Sequence, residues 1–163
     1  MALAVVLLFA GLFFCCRARS EKEAVAVVLD DLAATVEKKD AQGLVALLTA
    51  DYADFAGRDR DQTRAMAEEY FGHYRGIKTK LLSSRITMGE PGTASAEADI
   101  SLYSGIAAAL RKAVGFSGEN YRVSFVLRQD GPWRVSEASW EYIPVSGLFP
   151  ESIKALQELF PDR

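Results

Sequence analysis

Residues 121–142, YRVSFVLRQDGPWRVSEASWEY, decide the fold. Tyr121, Val123, Phe125 and Leu127 alternate with more polar residues, so 121–129 reads as a strand with one apolar face. Gln129-Asp130-Gly131-Pro132 follows as a hairpin turn, where glycine tolerates the backbone angles a reversal needs. Residues 133–143 resume strand character, so the two runs form an antiparallel hairpin. Strict alternation on the second strand puts Trp133, Val135, Glu137, Ser139 and Glu141 on one face. Arg134, Ser136, Ala138, Trp140 and Tyr142 then share the other.

The same period extends upstream. Residues 94–103 alternate through Ala94, Ala96, Ala98, Ile100 and Leu102, 77–88 read as a further strand, and Glu90-Pro91-Gly92 is the turn between them. Before residue 77 the period becomes helical. Val25, Val28, Leu29, Leu32 and Val36 recur at three-four spacing behind the capping-box sequence Ser20-Glu21-Lys22-Glu23, and Lys38-Lys39 close the helix where cations suit its dipole. Asp40 is positioned to cap a second short helix carrying Leu44, Leu47 and Leu48. Tyr52 to Phe55 reads as a short strand, and Asp61 is expected to cap a third helix with Met66, Tyr70 and Tyr74 that ends near Gly76. Helices followed by a meander of antiparallel strands predict an α+β domain with the helices on one sheet face.

Outside this core lie three segments of different character. Ala2 to Phe14 (ALAVVLLFAGLFF) has no polar side chain, and with Cys15 and Cys16 it matches the length of an export-signal core better than the roughly 20 residues of a comfortable membrane span. Residues 1–20 are therefore expected to act as a signal peptide or membrane anchor, with the body exported or tethered facing outward. Arg17 and Arg19 follow the apolar run, so the alternative is an N-out anchor with a cytoplasmic body. Residues 104–118 are Ala-rich, with Ile106, Leu110 and Val114 at helical spacing between glycines. They read as a helical insertion that serves as a lid or covers an edge or dimer surface. In 144–163, Pro150 opens an amphipathic tail helix with Ile153, Leu156, Leu159 and Phe160. The domain proper is 21–143.

Composition excludes several chemistries. The 163 residues hold one His and two Cys, and both cysteines lie in the leader, so neither a His/Cys zinc site nor a Cys–His nucleophile can be assembled. No cofactor is called for. The chain carries a formal net charge of −3, and without the two leader arginines the remainder has 17 basic and 22 acidic residues. A body that acidic is a poor nucleic-acid partner, and the bases of 58–85 are interleaved with acids.

Two stretches carry a resemblance to a known group of proteins. Asp40-Ala41-Gln42-Gly43-Leu44-Val45-Ala46-Leu47-Leu48 resembles the second helix, and Gly131-Pro132-Trp133-Arg134-Val135 the final hairpin, of the nuclear transport factor 2-like superfamily, which includes SnoaL-like cyclases and ketosteroid isomerases. The resemblance covers about residues 21–143. It implies a cystatin-like α+β fold: three N-terminal helices packed in a curved antiparallel β-sheet, a cone-shaped pocket between them, and frequent homodimerisation through the exposed sheet face. It does not imply one function, because the fold hosts isomerases, dehydratases, cyclases and pure binding modules.

The resemblance also says where an isomerase would keep its proton-moving groups. Counted from Asp40, the first-helix tyrosine falls near Ala33, the general base near Ala56 and the strand acid near Ser124, and none of these side chains has the chemistry. The remaining catalytic candidates are Glu137, Asp54 and His73. If Trp133 and Val135 face the helices, Glu137 and Ser139 point into the pocket. Glu137 could equally pair with Arg122 or Arg128 on the neighbouring strand. Asp54 reaches the pocket only if the register is displaced by two, and His73 equally suits a helix-end cation. Tyr52, Tyr70, Tyr74 and Tyr103 are expected to line the cavity with phenolic tips over an apolar wall, which suits a small apolar or aromatic ligand. The leading expectation is a ligand- or partner-binding domain without catalysis. A SnoaL-like isomerase, cyclase or dehydratase, and a dimerising assembly module, are the alternatives.

Overall fold

A computed structural model describes residues 21–74, 76–104 and 119–144. The leader, the 104–118 insertion beyond its first residue and the tail helix lie outside the described residues. Among those described, no helix is long and apolar enough to cross a membrane.

Residues 21–38 form helix α1, whose Val25 and Val28 are buried in the core. The helix stops at Lys39, which adopts φ 58. Lys39 N–H then donates to Val36 O at 3.1 Å and Asp40 N–H to Thr35 O at 2.8 Å, so the last turn is closed by a left-handed residue that is not glycine. Asp40 immediately caps α2, Ala41–Ala46, accepting from Gly43 N–H at 2.7 Å.

Strand β1, Leu48–Asp54, begins earlier than the short strand expected over 52–55, and takes Leu48 from the second helix. Helix α3 spans Arg60–His73. Its cap is Asp59 rather than Asp61: Asp59 accepts from Gln62 N–H at 2.9 Å while the Gln62 side chain accepts from Asp59 N–H at 3.1 Å. Strands β2 (Ile77–Met88), β3 (Thr93–Ser104), β4 (Glu119–Gln129) and β5 (Trp133–Tyr142) follow as the meander. Pro91 and Gly92 occupy the central positions of the β2–β3 turn, with Gly92 at φ 79 and Thr93 N–H donating to Glu90 O at 2.8 Å.

The sheet has order β1-β5-β4-β3-β2. Four strands pair antiparallel as expected, but β1 runs parallel to β5, so the sheet is mixed and not wholly antiparallel. The chain reaches β1 from α2 and joins the far end of the later meander, a long-range pairing that no local turn announces.

Register shifts interrupt the pairing of β1 with β5 and, within the meander, of β2 and β5; the two in the meander decide which of its side chains meet the helices. On β2 the pairing slips between Leu81 and Ser83, so Thr79 and Leu81 face the helices before the slip and Ile86 and Met88 after it. On β5, Val126 pairs with Glu137 and Leu127 with Val135, leaving Ser136 as the extra residue. Its hydroxyl donates to Val126 O at 3.2 Å and so satisfies a carbonyl at the disrupted ladder. Trp133 and Val135 before the bulge, and Ala138 and Trp140 after it, all pack on the helix-side core.

Candidate functional site

Between the helices and the sheet lies a cavity of about 380 Å³. Helix α1 contributes Leu29, Leu32, Ala33 and Val36, and α3 contributes Met66, Ala67, Tyr70 and Phe71. The sheet closes it with Leu81, Ile100, Leu102, Val123, Phe125 and Trp140. These positions follow from the periods of their elements, since three-four spacing on α1 and α3 and alternation on β3 and β4 each turn one apolar face inward. The volume falls within the roughly 300–1,000 Å³ of small-molecule sites.

Few polar groups interrupt that lining. Tyr52, at the end nearest β1, is buried, and burial together with the neighbouring Asp54 carboxylate pushes its phenol up to about 12. Thr63 Oγ1 stands beside it, buried and outside hydrogen-bond geometry with any described group. Tyr121 donates from its hydroxyl to Glu119 at 2.8 Å, and burial with that contact pushes its phenol up to about 12. Burial and the adjacent Tyr74, whose ring centroid is 4.6 Å away, also raise Tyr70. All three phenols therefore stay protonated at neutral pH and act as donors, not bases. Thr79 is already engaged, giving its N–H and hydroxyl to Glu37 Oε1 at 2.9 and 3.0 Å. Asp30 is the one carboxylate among the described residues of the lining, and no Lys, Arg or His is among them.

The predicted site residues separate into those inside and those outside this cavity. Tyr52 and Tyr70 line it. Tyr74 packs against Tyr70 without reaching the lining, and Tyr103, alternating with Ile100 and Leu102, is buried on the other sheet face. Glu137 and Ser139 do not share a face with Trp133 and Val135, because the Ser136 bulge turns them to the opposite side of the sheet. There they border a broader depression of about 920 Å³ with Asp51, Arg85, Glu97 and Arg128. Neither expected partner of Glu137 is paired with it: Arg122 binds Asp99 at 2.9 Å and Arg128 binds Asp51 at 2.5 Å. His73 is exposed at the end of α3.

Asp54 has a structural assignment. Its side chain is buried, Oδ1 accepts from the N–H groups of Ala56 at 2.9 Å and Arg58 at 3.0 Å, and Oδ2 binds Arg58 Nε at 2.6 Å. Burial opposes ionisation, but the Arg58 and Ala56 N–H groups and the guanidinium outweigh it and hold the carboxyl below its ordinary range. Arg58 in turn lies 5.3 Å from the Trp140 ring and 5.8 Å from Phe55, whose rings meet edge to face at 4.7 Å. Asp54 thus supports the wall of the cavity through Arg58 and Trp140.

Sequence reading missed Asp30 and Tyr121. Asp30 follows the buried Val28 and the lining residue Leu29, on the flank of α1 that seven residues later carries Glu37 to β2. Tyr121 was marked by its place in the stripe with Val123 and Phe125. Among the described residues no three His, Cys, Asp or Glu side chains cluster as metal ligands.

No family model matches the sequence, and no curated protein matches it. Solved structures do. A protein of Streptomyces avermitilis provisionally named a dehydratase of the nuclear transport factor 2-like family superposes with a TM-score of 0.63 at 14% identity, over 78% of this chain and 99% of that one. A Novosphingobium aromaticivorans protein provisionally named a scytalone dehydratase gives 0.64 at 14% identity, over 78% and 87%. A Nostoc punctiforme protein of unknown function with a cystatin-like fold gives 0.60 at 15% identity, over 76% and 92%. With its helices packed on a five-stranded mixed sheet, the chain has the nuclear transport factor 2-like, cystatin-like α+β fold.

Proposed function

We propose that this domain binds a small apolar or aromatic molecule in the cavity under its helices and does not transform it. The observation that carries this reading is the lining: mostly apolar, with three phenols held protonated, while Asp54 is consumed by the Arg58 turn and Glu137 lies across the sheet. Proton transfer at carbon needs a base and donors converging on one substrate. The cavity has donors at Tyr52 and Thr63, and the only carboxylate among the described residues of its lining is Asp30 of α1.

Filling the cavity tests the reading. Ala33 lines it from α1, so Ala33→Phe should lower the affinity of naphthalenemethanol at least tenfold in a fluorescence titration, and Ala33→Leu should do so less. Unchanged affinity in both variants, with the fold intact by circular dichroism, would place the ligand elsewhere. The names of two structural neighbours favour a second reading, a SnoaL-like dehydratase, isomerase or cyclase. Turnover of any enone or hydroxylated aromatic substrate that is lost in Asp30→Asn and Tyr52→Phe would establish it over simple binding.

Two further features belong to the proposal. Export or outward tethering rests on the apolar leader, and fusion of residues 1–30 to a periplasm-dependent reporter tests it, a silent reporter favouring the cytoplasmic orientation. Homodimerisation through the open sheet face is supported by Val126, 38% exposed among charged neighbours there, and is read by sedimentation of the full chain.

A further inference from the structure

Among the described residues, the charged side chain lining the cavity is a carboxylate. Asp30 has no hydrogen-bond or ion-pair partner among the described residues, and it lines the cavity at the flank of α1 that faces β2. Further along the same flank another acid of α1 is neutralised: Glu37 binds Lys78 Nζ at 2.8 Å and the Thr79 N–H and hydroxyl. At the β4 side, the Tyr121 hydroxyl rests on Glu119. No basic side chain among the described residues lines the cavity, so none of them offsets Asp30 there. Asp30 itself is exposed at the rim, where it stays hydrated without a ligand.

Resting on the binding reading above, the geometry points to a ligand of defined charge: an amine cation carried on an apolar or aromatic body, with the body in the cavity and the ammonium at Asp30. The apolar lining supplies affinity for the body, at roughly 25 cal/mol per Å² buried. The unpaired carboxylate supplies a charge-assisted hydrogen bond to the ammonium. The aromatic rings of Tyr70, Tyr121 and Trp140 in the same lining attract a cation and not an anion. A carboxylate ligand of the same shape would bring like charge to Asp30 and meet no compensating base. The arrangement selects by sign as well as by size, and the selection resides in a residue that contributes little to the apolar fit.

Three probes of one shape test it on the full chain: naphthylmethylamine, naphthalenemethanol and naphthoate, each titrated calorimetrically at low and moderate salt. The proposal expects the amine to bind about fivefold more tightly than the alcohol, a margin suited to a solvent-exposed charge pair, and naphthoate to bind weakest. Asp30→Asn should erase the amine's advantage over the alcohol, whereas Asp31→Asn, one residue away and outside the lining, should preserve it and leave alcohol affinity unchanged. Equal binding of amine and alcohol, or an advantage that survives Asp30→Asn, overturns the charge selection while leaving the apolar cavity reading in place. Absence of binding by all three probes overturns the cavity reading, and this inference with it.

Discussion

Replacing Asp54 separates a structural carboxylate from a proton carrier. In Asp54→Ala two N–H groups, from Ala56 and Arg58, lose their acceptor and the Arg58 guanidinium loses its partner. An unpaired buried donor costs about 1–3 kcal/mol, and the turn is partly open to solvent, with the Arg58 side chain 31% exposed, so the lower end applies to each. A total of about 3 kcal/mol is expected, a large share of the roughly 5–15 kcal/mol that holds a domain together. Asp54→Asn keeps an oxygen for the two N–H groups but turns an amide toward the guanidinium, for about 1–2 kcal/mol. Urea unfolding followed by the fluorescence of Trp133 and Trp140 reads both.

The pH dependence has a definite sign. The folded-state carboxyl is held below its unfolded value, about 3.9, so its contribution is complete above that value and disappears as pH falls through the folded value. The gap between the parent chain and Asp54→Asn should be constant from pH 7 to 5 and close below about 3.9. A loss under 1 kcal/mol in Asp54→Ala, or a gap that persists unchanged at pH 3, would refute the structural assignment of Asp54. It would return the residue to the list of candidate bases.

Other perturbations test neighbouring steps. Deleting Ser136 removes the extra residue and leaves Val135, Ala138 and Trp140 facing the helices in a regular ladder, so the chain should keep a cooperative urea transition, and Ser136→Ala should cost about 1 kcal/mol; loss of the transition on deletion would refute the assignment of Ser136 as the bulged residue. Glu37→Gln weakens the tie from α1 to β2 by about 1 kcal/mol. Burial opposes ionisation of Glu37, but Lys78 and Thr79 hold its carboxyl below the ordinary range, so this loss should also fade as pH drops below about 4. Gly92→Ala places a side chain at φ 79 and should lower the urea midpoint by an amount equal to about 1–2 kcal/mol.

Much of the fold was written in local periods. The strands 77–88, 94–103, 121–129 and 133–143 differ from the observed ones by two residues or fewer at each end, because alternation and the two glycine turns are local signals. The pairing of β1 with β5 is not local, and Leu48 fits a helical stripe as well as a strand, so the parallel edge was hidden. The α3 cap was readable: Asp59 has Gln62 three residues on, whereas Asp61 has Arg64. The bulges had signals too, in the Leu81-Leu82 doublet and in the change from Trp133/Val135 to Ala138/Trp140, where apolar residues move from odd to even positions. Carrying strict alternation across Ser136 is what turned Glu137 and Ser139 inward on paper. Asp30 left no comparable trace, since a polar residue on the flank of an amphipathic helix reads as solvated until the opposite wall is known.

The location of a bound apolar probe tests the central claim most directly. With naphthalenemethanol added to the isotopically labelled full chain, the account predicts chemical-shift changes at Met66, Tyr70, Tyr121, Val123 and Trp140, which surround the cavity. Changes confined to Arg85, Glu97, Arg128 and Glu137 across the sheet, or no changes at saturating probe, would contradict it.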